Sequence, residues 1–553
     1  MSLSLVHTAD NMLGAVILGV FVLIPIVLFY PRTRRRADLP PGPPSQILTG
    51  NTHHVPSSEP WKAYANWSQI YGSPLIHLHI SNKPTIIINS ARAALDLLDT
   101  RSNIYSDRPH SPSSSSSSDP TTQNKHVSIA SYLSRPLAWL RRGLFSSWSP
   151  RAILGDRPSV FSTSVLHSRF KKYRKLLQTS LNPRAVKKYR DLMENERLTM
   201  LMGLLQKPDE FFQHVRRNAG AIILNVAYGW QVTSNDDYFI RLMEEAFVIH
   251  NSINKPSGWL VEFFPILRFL PPWFPGNVYK RRAAVYKERM WHIDNVPHRW
   301  AKEQIASGTY TESFSSQHLR PEDGRDVDVE EEDVIKWAGG ALYFGGADTT
   351  VASVLSFILL MTLHPDVQKR AQEEIDRVVG KDRLPTIGDQ DNLVYVGALI
   401  KEVLRFAPVA PLGLPHRAMD EDTYMGHRIP RGATVIANIW AIGHDEEVYD
   451  QPHTFDPTRF LRSSSSDSEP GNTTNRARID PRKLVFGYGK RVCPGAHFAD
   501  QSVFLSVTGI LALFSISKCV DENGQVVTPR FEFTTGITRY VSCAYLTVYG
   551  SLG

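Results

Sequence analysis

The apolar positions of this chain keep three different rhythms. From Met12 to Tyr30, MLGAVILGVFVLIPIVLFY, they are continuous: 19 residues without a charge, just long enough to cross a bilayer as a helix and able to tolerate Pro25. From about residue 170 to 410 they recur near helical spacing, as in RFKKYRKLLQTSL, DVIKWAGGALYFGGADTTVASVLSFILLMTL and DVQKRAQEEIDRVV, which predicts a succession of helices. Later, around TYMGHRIPRGATVIANI and in the C-terminal SCAYLTVYG, short runs bounded by glycine and proline predict strands. No repeat of fixed period interrupts this order. The predicted fold class is mainly α with a small β portion, preceded by one transmembrane helix.

The flanks of the first run orient it. Arg32, Arg34, Arg35 and Arg36 follow it, whereas a cleaved signal carries its cations in front. The positive-inside rule then leaves the N-terminus lumenal and the rest cytosolic. LPPGPP, Leu39 to Pro44, can neither continue a helix nor flex freely, so it forms a stiff spacer. The expected organisation is an anchor with its basic flank at 1–36 and one catalytic domain at 37–553. Ser111 to Asp119 and Ser463 to Asn472 are polar low-complexity loops, and Arg320 to Asp333 carries an acidic run ahead of a helix.

Composition narrows the partners. A formal net charge of +8 suits nucleic acid, anionic membrane or an acidic protein. No compact nucleic-acid module accompanies it, so nucleic acid is excluded. The 3 cysteines, at 493, 519 and 543, have no spacing of a disulfide framework or a zinc site.

One cysteine nevertheless sits in special company. In FGYGKRVCPG, Phe486 to Gly495, Cys493 lies among glycines and cations rather than apolar neighbours. A thiolate is a good ligand for soft metals and, on haem iron, pushes electron density toward oxygen chemistry. Gly487, Gly489 and Gly495 let backbone approach a flat macrocycle and aim N–H groups at sulfur. Arg491 would neutralise a carboxylate of such a group. Inside the long apolar helix, GGADTT, Gly345 to Thr350, places two costly mid-helix glycines one turn before an acid and an alcohol. They are expected to open a groove, with Thr349 free to bend the helix or bond a ligand and Asp348 supplying a titratable group. In KEVLRFAP, Glu402 and Arg405 lie at i and i+3, one helix face.

The loop pattern F-G-x-G-x-R-x-C-x-G resembles that of the cytochrome P450 family, the haem-thiolate monooxygenases, and the chain resembles its membrane-anchored fungal members over nearly its whole length, from the anchor and proline hinge to the cysteine loop. The resemblance implies haem b with Cys493 as its iron ligand, Phe486 and Gly487 beside the sulfur, and Arg491, Arg417 and Arg174 on the propionates. It implies proton delivery by Asp348 and Thr349. It also implies a buried ionic cluster of Glu402, Arg405 and Arg459, and substrate contacts from Val409 to Leu414 and Thr534 to Thr538. The implied reaction inserts one atom of molecular oxygen into a lipophilic small molecule, a fungal secondary metabolite. Electrons are expected from a separate NADPH-dependent cytochrome reductase, at the endoplasmic reticulum membrane. A reductase-independent isomerase or dehydratase and a non-catalytic membrane haem protein are the alternatives.

The chain also departs from the family. Phe170 stands four residues before Arg174 where tryptophan is frequent, and the C-terminus lacks a proline-arginine ending. Ser111 to Ser168 is read as an insertion that contributes no core. It is either a basic, aromatic lid resting on anionic lipid or an untranslated stretch retained in the gene model.

Overall fold

A computed structural model of the protein describes residues 38–109 except 47–48 and 81–82, then 158–254, 278–461, and 479–550 except 522, 535, 537 and 540–545. The expected membrane span, the serine runs and most of the expected insertion lie outside the described residues. The main helices are α1 (Pro60–Ile70), α2 (Ser168–Leu181), α3 (Arg190–Gln206), α4 (Phe211–Tyr228), α5 (Tyr238–Asn254), α6 (Val278–Ser307), α7 (Phe314–Leu319), α8 (Val329–Leu363), α9 (Pro365–Val378), α10 (Val394–Phe406) and α11 (Ala496–Leu513). The three helical patterns of the sequence become α2, α8 and α9.

The 35-residue α8 organises the others. The acidic run ahead of it is its own first turn: Asp328 caps the helix through its side chain, accepting from the Glu331 amide, and Glu330, Glu331 and Glu332 follow. Carboxylates there complement the positive end of the helix dipole. Beyond, α8 is apolar on all sides because it is enclosed on all sides. By length and composition α8 and α11 could each cross a membrane, but 83% and 61% of their most apolar windows are buried inside the protein. They are core helices.

The β portion sits to one side. Strands β1 (Leu75–Ile80), β2 (Lys83–Ile88), β3 (His416–Arg417) and β6 (Thr434–Ala437) form a sheet of order β1-β2-β6-β3, with β4 (Asp422–Tyr424) and β5 (His427–Ile429) as a hairpin. The β2–β6 pair is parallel, Thr85 opposite Thr434 through Ile88 opposite Ala437. It therefore joins segments far apart in sequence and brings β3 back beside the chain around Asp107. A C-terminal sheet of β7 (Phe514–Val520), β8 (Val526–Val527) and β9 (Leu546–Gly550) packs on the helices.

The expectation that Ser111 to Ser168 contributes no core fails at its C-terminal end. Val160 is buried within the main apolar core, and the Tyr173 hydroxyl donates to the Pro158 carbonyl at 2.9 Å. The segment escaped notice because it is a turn. It is held by its backbone carbonyls, which leave no periodicity in the side chains.

Candidate active site

The cysteine loop closes on itself. The Cys493 amide donates to the Phe486 carbonyl at 2.8 Å, so Phe486 and Cys493 bracket one turn of chain. Inside it, Gly487 has φ +81° and Gly489 φ +52°, conformations that favour glycine. At Gly489 a Cβ would stand 2.6 Å from Ser102 Cβ and 2.7 Å from the Leu98 carbonyl oxygen, and its amide donates to Asp99 Oδ1 at 2.9 Å. The close approach expected toward a macrocycle is thus, at Gly489, an approach to the protein's own N-terminal helical turns. Cys493 is half-buried. Burial pushes its thiol up, opposed by the Gly495 amide on the sulfur and by Arg174. A metal ion would reverse that balance, since coordinating thiols bind as thiolates.

Around the loop stand four guanidinium groups. Arg491 donates from Nε to the Ser106 carbonyl at 2.8 Å and from Nη2 to the Thr163 carbonyl at 2.6 Å. Its guanidinium lies 4.4 Å from the Phe170 ring centre, so the phenylalanine that replaces tryptophan still offers a π face. Arg174 donates to the Val492 carbonyl at 2.7 Å. Arg417 on β3 pairs with Asp107, its Nε 2.9 Å from Oδ2. The fourth, Arg108, escaped the sequence analysis. It is buried and donates to the carbonyls of Leu414 at 2.8 Å, Pro415 at 2.7 Å and Phe161 at 3.2 Å.

These groups are hydrogen-bonded but their charge is not balanced. Burial, and then the nearby Arg491, push Arg108 down to about 9. Burial likewise pushes Arg491 down to about 10, with Asp107 opposing and Arg174 adding to the fall. His416 is pushed down to about 3, first by burial and then by Arg108, so it is neutral. Asp107, fully buried, is the one carboxylate shown paired within this group among the described residues. Four cations around one anion, beside a cysteine, fit a dianionic macrocycle carrying a metal, as haem does through its propionates.

At mid-length of α8 the two glycines do different work. A Cβ on Gly346 would meet Ile223 of α4 at 2.7 Å, whereas one on Gly345 would meet the Phe161 ring at 3.3 Å. Gly346 thus admits a neighbouring helix, while Gly345 faces the 158–167 segment. Thr349 is half-buried and its hydroxyl donates to the Gly345 carbonyl at 2.9 Å. Asp348 is buried and accepts a hydrogen bond from the Thr538 hydroxyl. Burial pushes its carboxyl up to about 7 against the pull of Thr538 and Arg216. Thr538, in the stretch expected beside the substrate, has its hydroxyl on this acid. The segment 158–167 links both centres, with the Thr163 carbonyl on Arg491 and the Phe161 ring over Gly345.

Behind the loop the ionic cluster is closed. Arg405 donates to both oxygens of Glu402 at 2.7 and 2.8 Å and to the carbonyls of Gly443 and Pro452. Arg459 donates to Glu402 at 3.1 Å and to the Asp450 and Thr454 carbonyls.

Comparison with known proteins agrees with this geometry. The family model described as Cytochrome P450 matches residues 156–544, beginning where the 158–167 segment does. The cytochrome P450 monooxygenase claR of Ampulloclitocybe clavipes is 36% identical over 92% of this chain and 85% of its own length. Cytochrome P450 monooxygenase 208 of Postia placenta is 36% identical over 95% and 92%. Cytochrome P450 monooxygenase ppsD of Aspergillus oryzae is 35% identical over 90% and 86%. With the likeness carried along nearly the whole chain, and not by the cysteine loop alone, this enzyme belongs to the cytochrome P450 family as a monooxygenase.

Proposed function

We propose that the protein oxidises a lipophilic secondary metabolite at the endoplasmic reticulum membrane with electrons from a separate NADPH-dependent reductase. The observation that carries the site is the surplus of desolvated guanidinium charge beside Cys493. Haem b, ligated by the Cys493 thiolate, would supply the activation of dioxygen. Arg108, Arg174, Arg417 and Arg491 would hold its propionates, and the Gly495 amide would steady the sulfur. Phe161 and the half-buried residues from Leu412 to Leu414 would bound the substrate and exclude water. Asp348 would hold a proton near neutral pH, and Thr349, whose hydroxyl keeps lone pairs beyond its bond to Gly345, would pass it on.

The reductase reading rests on the face around the loop. Lys171 and Lys175 of α2 are exposed and lie three residues before and one after Arg174, and Lys490 and Val492 are exposed on the loop itself. A cationic rim around an apolar point suits an acidic partner and makes its docking salt-dependent. Membrane attachment is supported by the uncharged run Met12 to Tyr30 and the arginines after it.

The test is product formation from metabolite pools by the full chain, with and without a reductase and NADPH, alongside the reduced carbon monoxide difference spectrum. Products dependent on the reductase and a thiolate-type spectrum lost in Cys493→Ser are expected. Turnover without reductase, or a thiolate-type spectrum that survives Cys493→Ser, would overturn the reading.

A further inference from the structure

The acid of α8 has a partner that neither the helix nor the cysteine loop supplies. Asp348 and Thr538 are both buried, 6% and 7% exposed, and stand 190 residues apart in sequence. A buried carboxyl must find a donor or stay neutral. The charged group that acts on Asp348 through space is Arg216 of α4. That guanidinium is itself engaged, paired with Glu244 of α5 and stacked 4.5 Å over Phe212. The direct contact is the hydroxyl of Thr538.

Thr538 is held firmly in place. The next residue, Arg539, donates its amide to the Val409 carbonyl at 3.0 Å. Arg539 is 1% exposed, with its guanidinium 4.0 Å from the Phe533 ring centre and 5.7 Å from that of Trp61. Two residues before Thr538, a Cβ on Gly536 would press at 2.8 Å on both Asn251 and the Thr538 carbonyl. Gly536, Thr538 and Arg539 therefore meet α5, α8 and the stretch after α10 respectively.

We propose that Thr538 is a positioning residue for Asp348, holding the carboxyl from the C-terminal segment and so setting the proton supply of the acid–alcohol pair. This rests on the reading of Asp348 as the proton-delivering acid. Two opposed effects meet at that carboxyl. Burial favours the neutral acid, while a hydroxyl donor favours the carboxylate. Their balance, about 7, lets the group give a proton up and regain it from water without leaving the neutral range.

The test uses the full-length haem protein at rest, without turnover. The infrared carbonyl band of the protonated Asp348 carboxyl, assigned by its absence in Asp348→Asn, is titrated from about pH 5 to 9. The midpoint is expected to rise by about one pH unit in Thr538→Val and Thr538→Ala, because a donor to the charged form is lost. Thr538→Ser should restore it, and the pH profile of product formed per reductant should move in parallel. An unchanged midpoint in both donorless variants, with the band still present, would overturn the proposal. Full coupling in Asp348→Asn would instead refute the acid's role, an outcome that leaves the infrared shift standing and is separable from it.

Discussion

The cluster of Glu402, Arg405 and Arg459 and the group of Arg108, Arg174, Arg417 and Arg491 around Asp107 are built from the same side chain, in the same low-dielectric interior. They solve its burial in opposite ways. In the first, Glu402 is shared by both arginines, and the remaining donors reach carbonyls of the chain that wraps them. In the second, the donors of Arg108 and Arg491 also reach carbonyls, but these are neutral, and burial holds both groups below the ordinary arginine range. Guanidinium outnumbers carboxylate in both; the difference is that each arginine of the first cluster bonds its carboxylate directly, whereas Arg108 and Arg491 bond only neutral carbonyls. A buried arginine bonded to a carboxylate is architecture, and one bonded to carbonyls alone leaves a place for an anion. Asp348 is a third solution, a lone buried acid that compensates by holding its proton.

Breaking the closed cluster should cost most. Glu402→Gln leaves two buried guanidiniums without their carboxylate and is expected to destabilise by about 3 to 5 kcal/mol, read as loss of folded haem protein or a large fall in thermal midpoint. The open group should respond differently. Arg491→Gln is expected to leave the melting of the haem-free chain nearly unchanged while haem transfers to a scavenger roughly 10- to 100-fold faster, the loss of one charge-assisted bond. Equal effects of the two substitutions on both measurements would erase the distinction.

The third effect concerns Asp348 and depends on pH. Its carboxyl is raised to about 7 in the folded protein from the ordinary 3.8. The native state therefore keeps the proton that the unfolded chain gives up, and the stability this contributes is complete below about pH 4 and lost as pH rises through about 7. Between pH 5 and 8 the wild type is expected to lose roughly 2 to 3 kcal/mol relative to Asp348→Asn, seen by following both unfolding midpoints with pH. Parallel curves would remove Asp348 from this comparison.

What could be read in the chain beforehand divides along a physical line. The cysteine loop was legible because its requirements are local: positive φ at Gly487 and Gly489 and the turn that returns Cys493 to Phe486 are properties of ten consecutive residues. The helices from α2 to α10 were legible for the same reason. Arg108 was not, because its role depends on closures such as Asp107 to Arg417, 310 residues away. The β1–β2 hairpin was missed, since LIHLHI and KPTIII are short and interrupted by histidine and proline, and the partner that extends the sheet, β6, lies about 350 residues further on. Gly345 and Gly346 look alike in sequence, and only Phe161 and Ile223 tell them apart. Thr538 was noticed as a pocket residue, yet its partner on α8 is fixed by the folding of the C-terminal segment.

The grip of Gly489 on Asp99 has a consequence for how the molecule is made. The two residues are 390 positions apart, and Arg491 reaches Ser106 across 385. At a synthesis rate of about 5 to 20 residues per second, Asp99 leaves the ribosome roughly 20 to 80 s before Gly489 does. During that interval Arg108, Arg174 and then Arg417 are added to the nascent polypeptide, all before the loop they surround. The cysteine loop is accordingly the last of these groups to be made, and the contacts it closes with Asp99 and Ser106 form only after the residues between have been translated.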